Sequence, residues 1–140
     1  MNEENGLIGG RTYAPEEDAN IAKHFAAIES DSGASHPLGI YYTGKPEIAA
    51  FLAPLSNILS SQGARLSQLQ AGGVGADIGP LTQKGVPSFA PWTNQQTYFN
   101  YHHTAADTFD KINPKELAEG GSVMAVLAFG LANLEVNLPR

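Results

Sequence analysis

Two of the four histidines stand side by side in Tyr101-His102-His103-Thr104-Ala105-Ala106-Asp107-Thr108, next to hydroxyls and a carboxylate in a charge-poor part of the chain. Imidazole nitrogen and carboxylate oxygen are donors that a zinc hydrolase uses. Such a site also needs an open position for water and a carboxylate that takes the water's proton without binding the metal. The acidic candidates lie far upstream: the adjacent pair Glu3 and Glu4, and Asp31 within Ser30-Asp31-Ser32-Gly33. Neighbouring residues on a loop point in different directions, so one of Glu3 and Glu4 can face a metal while the other faces water. Each candidate also has a plain structural reading. Glu3 and Glu4 can be solvated charges, Asp31 a turn residue, Asp107 a cap or an orienting partner for an imidazole, and His102 with His103 a packed, hydrogen-bonded corner.

Composition removes several other chemistries. The chain has 140 residues with fourteen acidic against eight basic side chains, a net charge of −6, which leaves no basic stripe for a nucleic acid and favours cations over anions. With no cysteine, disulfides, thiolate metal sites and a cysteine nucleophile are excluded. Gly72-Gly73-Val74-Gly75 is not followed by the Gly-Lys-Ser/Thr of a phosphate loop, and no Gly-x-Ser-x-Gly elbow marks a serine triad. The longest apolar run, Val123 to Leu134, is too short and too glycine-interrupted to span a bilayer, and Met1-Asn2-Glu3-Glu4 carries no signal-peptide pattern. No membrane partner is expected.

The elements that would position these residues follow in chain order. Residues 1 to 13 read as a glycine-containing loop, and Pro15 to about Lys23 as a short helix with Glu16, Glu17 and Asp18 in its first turn. His24 to Glu29 reads as a strand whose carboxyl end delivers Asp31. Leu38 to Thr43 is a second strand by its β-branched and aromatic content. From Pro46, Ile48, Phe51, Leu52, Leu55, Ile58 and Leu59 fall at helical spacing, with Pro54 kinking or restarting the helix. Ala64 to Gln70 is a third strand, Gly72 to Asp77 a turn, Ile78 to Gln83 a short helix and Val86 to Ala90 a buried strand. Trp92 to Asn100 reads as a loop. Asn113, Pro114 and Glu116 form a capping-box start for a helix that runs to about Asn133 and is apolar on most sides, hence buried. The alternation predicts an α/β layer architecture with a mostly parallel or mixed sheet, where ligands gather at the carboxyl ends of the strands.

Four motifs together carry a family resemblance: Asn-Glu-Glu-Asn-Gly-Leu-Ile-Gly-Gly at 2 to 10, Ala-Ile-Glu-Ser-Asp-Ser-Gly at 27 to 33, Gly-Gly-Val-Gly-Ala-Asp-Ile at 72 to 78, and Tyr-Phe-Asn-Tyr-His-His-Thr-Ala-Ala-Asp-Thr at 98 to 108. In order and spacing they resemble the C-terminal half of the co-catalytic di-zinc exopeptidases, in the carboxypeptidase Q branch. The resemblance implies a three-layer αβα zinc-peptidase domain, of which residues 1–140 would be the C-terminal part, and two zinc ions bridged by an aspartate and a water. It implies that Glu3 is the general base, Glu4 and His103 ligands of one zinc and Asp31 a ligand of the other, with His102 a neighbour only. Asp107, Asp77, Trp92 and Tyr98 would support the ligands or line the substrate cleft.

The family's His-x-Asp motif, which supplies a histidine and the bridging aspartate, has no counterpart after Met1: none of His24, His36 and His102 has an aspartate two residues later. The resemblance therefore implies an exopeptidase acting on dipeptides or short peptides, with this chain alone binding zinc weakly and showing little or no turnover. An N-terminal part of the sheet would be missing, and the exposed edge would favour self-association or docking of an N-terminal half. The alternative is a truncated module that folds without catalysis and serves binding or assembly. A periplasmic or secreted origin is implied by the resemblance alone.

Overall fold

The computed structural model describes residues 3–140, so Asn2, at the head of the first motif, lies outside the described residues. Four strands, β1 (Ala27–Ile28), β2 (Pro37–Tyr42), β3 (Leu66–Leu69) and β4 (Ser88–Thr93), form one sheet in the order β1-β4-β2-β3. β1 with β4 and β2 with β3 are parallel, whereas β2 and β4 are antiparallel, so the sheet is mixed. Helices α1 (Ile8–Glu16) and α4 (Gly79–Gln83) lie on one side, and α2 (Ile48–Leu52), α3 (Ser56–Ser61) and α5 (Pro114–Ala132) on the other.

The pleat explains the layers. Successive residues of a strand face opposite sides, and in β1 Ala27 joins a small cluster with Ala14, Leu81 and Val86 while Ile28 packs against the main core. That core brings Ile40, Tyr42 and Phe89 from the sheet against Ile48, Leu52 and Leu59 from the α2–α3 arm and Val123, Leu127 and Leu131 from α5. The three α5 residues recur every four positions, the spacing of one helix face.

Several expectations need correction. Of the loop expected over residues 1 to 13, the described part is not a loop: Glu3–Asn5 forms a 3₁₀ turn and α1 begins at Ile8. Gly10 serves packing rather than flexibility. A Cβ on Gly10 would lie 2.4 Å from the Asp77 carbonyl oxygen, so only glycine lets α1 approach the later turn this closely. Pro15 stands at the end of α1 instead of opening a helix, and Asp18–Lys23 continues as 3₁₀ turns. The strand expected over His24 to Glu29 pairs only at Ala27–Ile28, with Asp31 beyond its carboxyl end.

Pro54 does restart its helix, through the 3₁₀ turn Ala53–Leu55 between α2 and α3. Asn113 caps α5 by accepting from the Lys115 backbone N–H at 3.0 Å, one position earlier than a capping box requires. α5 is not buried on most sides either, since Leu117 is 52% and Phe129 73% exposed. Strand β3 is exposed at all four residues. Among the described residues no helix is long and apolar enough to cross a membrane.

Candidate metal and active site

Glu3, Glu4, Asp31, Tyr98, His102, His103 and Asp107 line one cleft of about 870 Å³. Its elements converge from three parts of the chain. The 3₁₀ turn ahead of α1 presents Glu3 and Glu4, held by the Leu7 N–H donating to the Glu3 carbonyl at 3.0 Å. The segment after β1 presents Asp31. The histidine loop is wound by the His102 N–H donating to the Tyr98 carbonyl at 3.0 Å and by the Thr104 hydroxyl donating to the Tyr101 carbonyl at 2.7 Å.

Within that loop the two histidines differ. His103 adopts a left-handed backbone with φ 56°, a conformation that non-glycine residues hold mainly where the surroundings enforce it. Its Nε2–H donates to Glu4 Oε1 at 3.1 Å, and both side chains are mostly solvent-exposed. His102 is instead held by rings: it stacks on Tyr98 at 4.7 Å and on His103 at 3.9 Å, with Phe99 edge-on at 5.8 Å. The other two histidines are engaged elsewhere, His24 with the Tyr13 hydroxyl and His36 with Glu119.

Electrostatics follow from the gathering of carboxylates. Partial desolvation first, then the charges of Glu4, Asp31, Asp77 and Glu29, raise the Glu3 carboxyl above its ordinary range. The Tyr98 phenol is likewise raised by desolvation and by Asp31, Glu4, Asp107 and Glu3. In both cases the second anion is disfavoured beside existing ones.

Two expected site residues behave differently from the rest. Trp92 does not line the cleft. β4 runs on through Thr93, so alternation turns Pro91 and Thr93 into the cleft and sends Trp92 to the opposite face, where it stacks on Tyr41 at 4.9 Å. Asp77 acts on Glu3 through charge but is not among the cleft-lining residues, and its Oδ1 is buried without a hydrogen-bond partner. Asp107 lines the cleft, yet the contact to the His103 imidazole comes from Glu4.

Glu29 supports the site without belonging to the expected set. Its carboxylate accepts from the backbone N–H groups of Ala76, Asp77 and Ile78. The signal in the sequence is a carboxylate two residues before Asp31 at a strand end, together with a glycine-rich turn whose N–H groups need acceptors. Among the described residues no group of three or more His, Asp or Glu side chains is assembled to hold a metal.

The chain belongs to peptidase family M28, whose profile matches residues 1–128. It is similar to carboxypeptidase Q of Mus musculus, 33% identical over 138 residues that make up 99% of this chain and 29% of that protein. Carboxypeptidase Q of Homo sapiens is 31% identical over the same extents. The crystal structure of a peptidase M28 precursor from Shewanella amazonensis SB2B superposes with a TM-score of 0.84 at 38% identity, covering 99% of this chain and 31% of that one. The chain thus spans about three-tenths of the length of these relatives.

Proposed function

We propose that this chain supplies one wall of a zinc-dependent exopeptidase site, as the C-terminal part of a single catalytic domain. Glu4 and His103 would hold one zinc, Asp31 would contribute to a second, and Glu3 would carry the proton. The observation that supports this most is the 3.1 Å approach of Glu4 Oε1 and His103 Nε2, from residues 99 apart in sequence, in a cleft shared with Glu3 and Asp31. A tetrahedral zinc with bonds of about 2.1 Å keeps two donors roughly 3.4 Å apart, so a carboxylate oxygen and an imidazole nitrogen at this separation fit the ion. In this reading the remaining donors belong to chain of the kind the relatives carry outside the matched segment.

Zinc bound there supplies a Lewis acid for the scissile carbonyl and a water of lowered pKa. The Glu3 carboxylate would accept the proton of the attacking water and pass it to the leaving amine nitrogen. The substrate is a short peptide or dipeptide. Ile112, Leu117 and Met124 at the α5 end of the cleft offer apolar surface to a substrate side chain, and the name of the curated relatives favours cleavage at a carboxyl end.

A second reading, an assembly module without catalysis, draws support from β3. Its residues are all exposed at one edge of the sheet, with Leu66 at 51% and Leu69 at 38%, so self-association or docking of further chain through this edge accompanies it.

The two readings separate in a chimera in which this chain replaces the matching segment of the Shewanella peptidase. Release of free amino acids from dipeptides is expected, abolished by a chelator and lowered at least about a hundredfold by Glu3→Gln. Activity that survives Glu3→Gln or the chelator refutes the assignment. The 140-residue chain alone is expected to show little turnover.

A further inference from the structure

The proposed reading needs the Glu3–Glu4 arm and Asp31 held at a fixed separation, although α1 and β1 share no ladder. We infer that Glu29 is the positioning residue that sets it, by gripping the Gly72–Ile78 turn against which α1 is packed. This inference rests on the proposed site for its functional meaning and on its own contacts for its geometry.

The backbone of Glu29 is tied to the sheet, its N–H donating to the Phe89 carbonyl at 3.1 Å, and Phe89 is fully buried. Two residues further on stands Asp31. The Glu29 side chain reaches away from the strand and accepts three backbone N–H bonds: Ala76 at 3.0 Å and Asp77 at 3.3 Å on Oε1, and Ile78 at 2.9 Å on Oε2. Both carboxylate oxygens are used, so the group is fixed in orientation as well as in place.

Two glycines make the grip possible, each by lacking a Cβ. At Gly75 that atom would lie 2.4 Å from Glu29 Oε2, and at Gly10 it would lie 2.4 Å from the Asp77 carbonyl oxygen and 3.5 Å from its Cα. The connection therefore runs from β4 through Glu29 to the turn, from Asp77 to Gly10 on α1, and from α1 to the 3₁₀ turn bearing Glu3 and Glu4. It is independent of the histidine loop and also holds Asp77 near enough to act on Glu3.

Glu29→Gln in the 140-residue chain tests this, since it keeps the side-chain size but sets an N–H donor against at least one backbone N–H. With far-UV circular dichroism unchanged, the NOE between the α-protons of Gly10 and Asp77 should weaken. The amides of Ala76, Asp77 and Ile78 should exchange at least about tenfold faster. Gly75→Ala, which drives a methyl group into the same carboxylate, should give the same pattern from the opposite side. Unchanged NOE and exchange in either folded variant overturns the inference, as does a wild-type chain whose three amides exchange unprotected.

Zinc affinity, read by competition with a chromophoric chelator, should fall at least about tenfold in Glu29→Gln. Equal affinity with a loosened turn also overturns the positioning role. A wild-type chain that takes up no zinc instead refutes the metal reading, and the NOE and exchange data then decide the role of Glu29 by themselves.

Discussion

His102 and His103 are adjacent, yet their surroundings predict opposite consequences when each is replaced. The informative change at His103 is His103→Asn, because asparagine tolerates the left-handed φ of 56° better than alanine does. The imidazole is then lost without added backbone strain. What disappears from the fold is one hydrogen bond to Glu4 between side chains 60% and 67% exposed. Contacts between exposed groups of this kind are worth at most about 1 kcal/mol, so the melting temperature should stay within about 3 °C. Zinc affinity should behave otherwise. One of the two proposed donors to that ion is removed, and since changes in the residues that merely orient a ligand cost about 10–100-fold, the loss should be at least that large.

His102→Ala reverses the pattern. Three ring contacts go, to Tyr98 at 4.7 Å, to Phe99 at 5.8 Å and to His103 at 3.9 Å. With aromatic pairs worth about 0.5–1.5 kcal/mol each and these rings only partly buried, the cost is about 1–2 kcal/mol. That corresponds to a fall of about 3–8 °C in melting temperature. Zinc affinity should fall less than in His103→Asn, as expected for a neighbour rather than a donor. Calorimetric melting and zinc titration on the two variants read both quantities. Equal loss of zinc affinity in both, or a larger stability loss for His103→Asn, refutes the division of labour.

Other outcomes follow from the same structure. Leu127→Ala removes a fully buried side chain where α5 meets the sheet and should cost about 2–5 kcal/mol, measured by urea unfolding; a cost below about 1 kcal/mol would place the core elsewhere. Glu3 has a folded-state pKa above its usual 4.5, so the native state binds the proton more tightly and stability falls as pH rises through the interval between the two values. Glu3→Gln should therefore raise the melting temperature at neutral pH, with the advantage vanishing below pH 4.5; a pH-independent difference would contradict this sign. Leu66→Lys with Leu69→Lys on the exposed edge should suppress any concentration-dependent association seen by sedimentation, and unchanged association would direct attention to another surface.

Much of the candidate site is legible in the sequence because the residues that gather there stand out by type and order. Glu3, Glu4, Asp31 and His103 stand out in three of the four short motifs, and the structure brings all four into one cleft. Helix α5 is legible from Asn113 and Pro114, since a cap and a helix-starting proline act locally. What escapes depends on distant partners. Gly9 and Gly10 at the start of α1 read as part of a loop, because nothing local reveals that Gly10 meets Asp77. Trp92 reads as a cleft residue only if β4 ends before it, and the strand's continuation through Thr93 decides which face the indole takes. The role of Glu29 escapes because its three donors are backbone N–H groups 47 to 49 residues away, and the glycine-rich turn that carries them does not itself name its acceptor.

The pairing of Glu4 with His103 as zinc donors is tested most directly by titrating zinc into the ¹⁵N-labelled chain while following the ring nitrogens of its four histidines. The His103 signals should move first and furthest, with Nε2 the nitrogen affected, while His24, His36 and His102 stay in place until zinc is in large excess. No shift at His103, or signals of His36 beside Glu119 that move at lower zinc than those of His103, would contradict it.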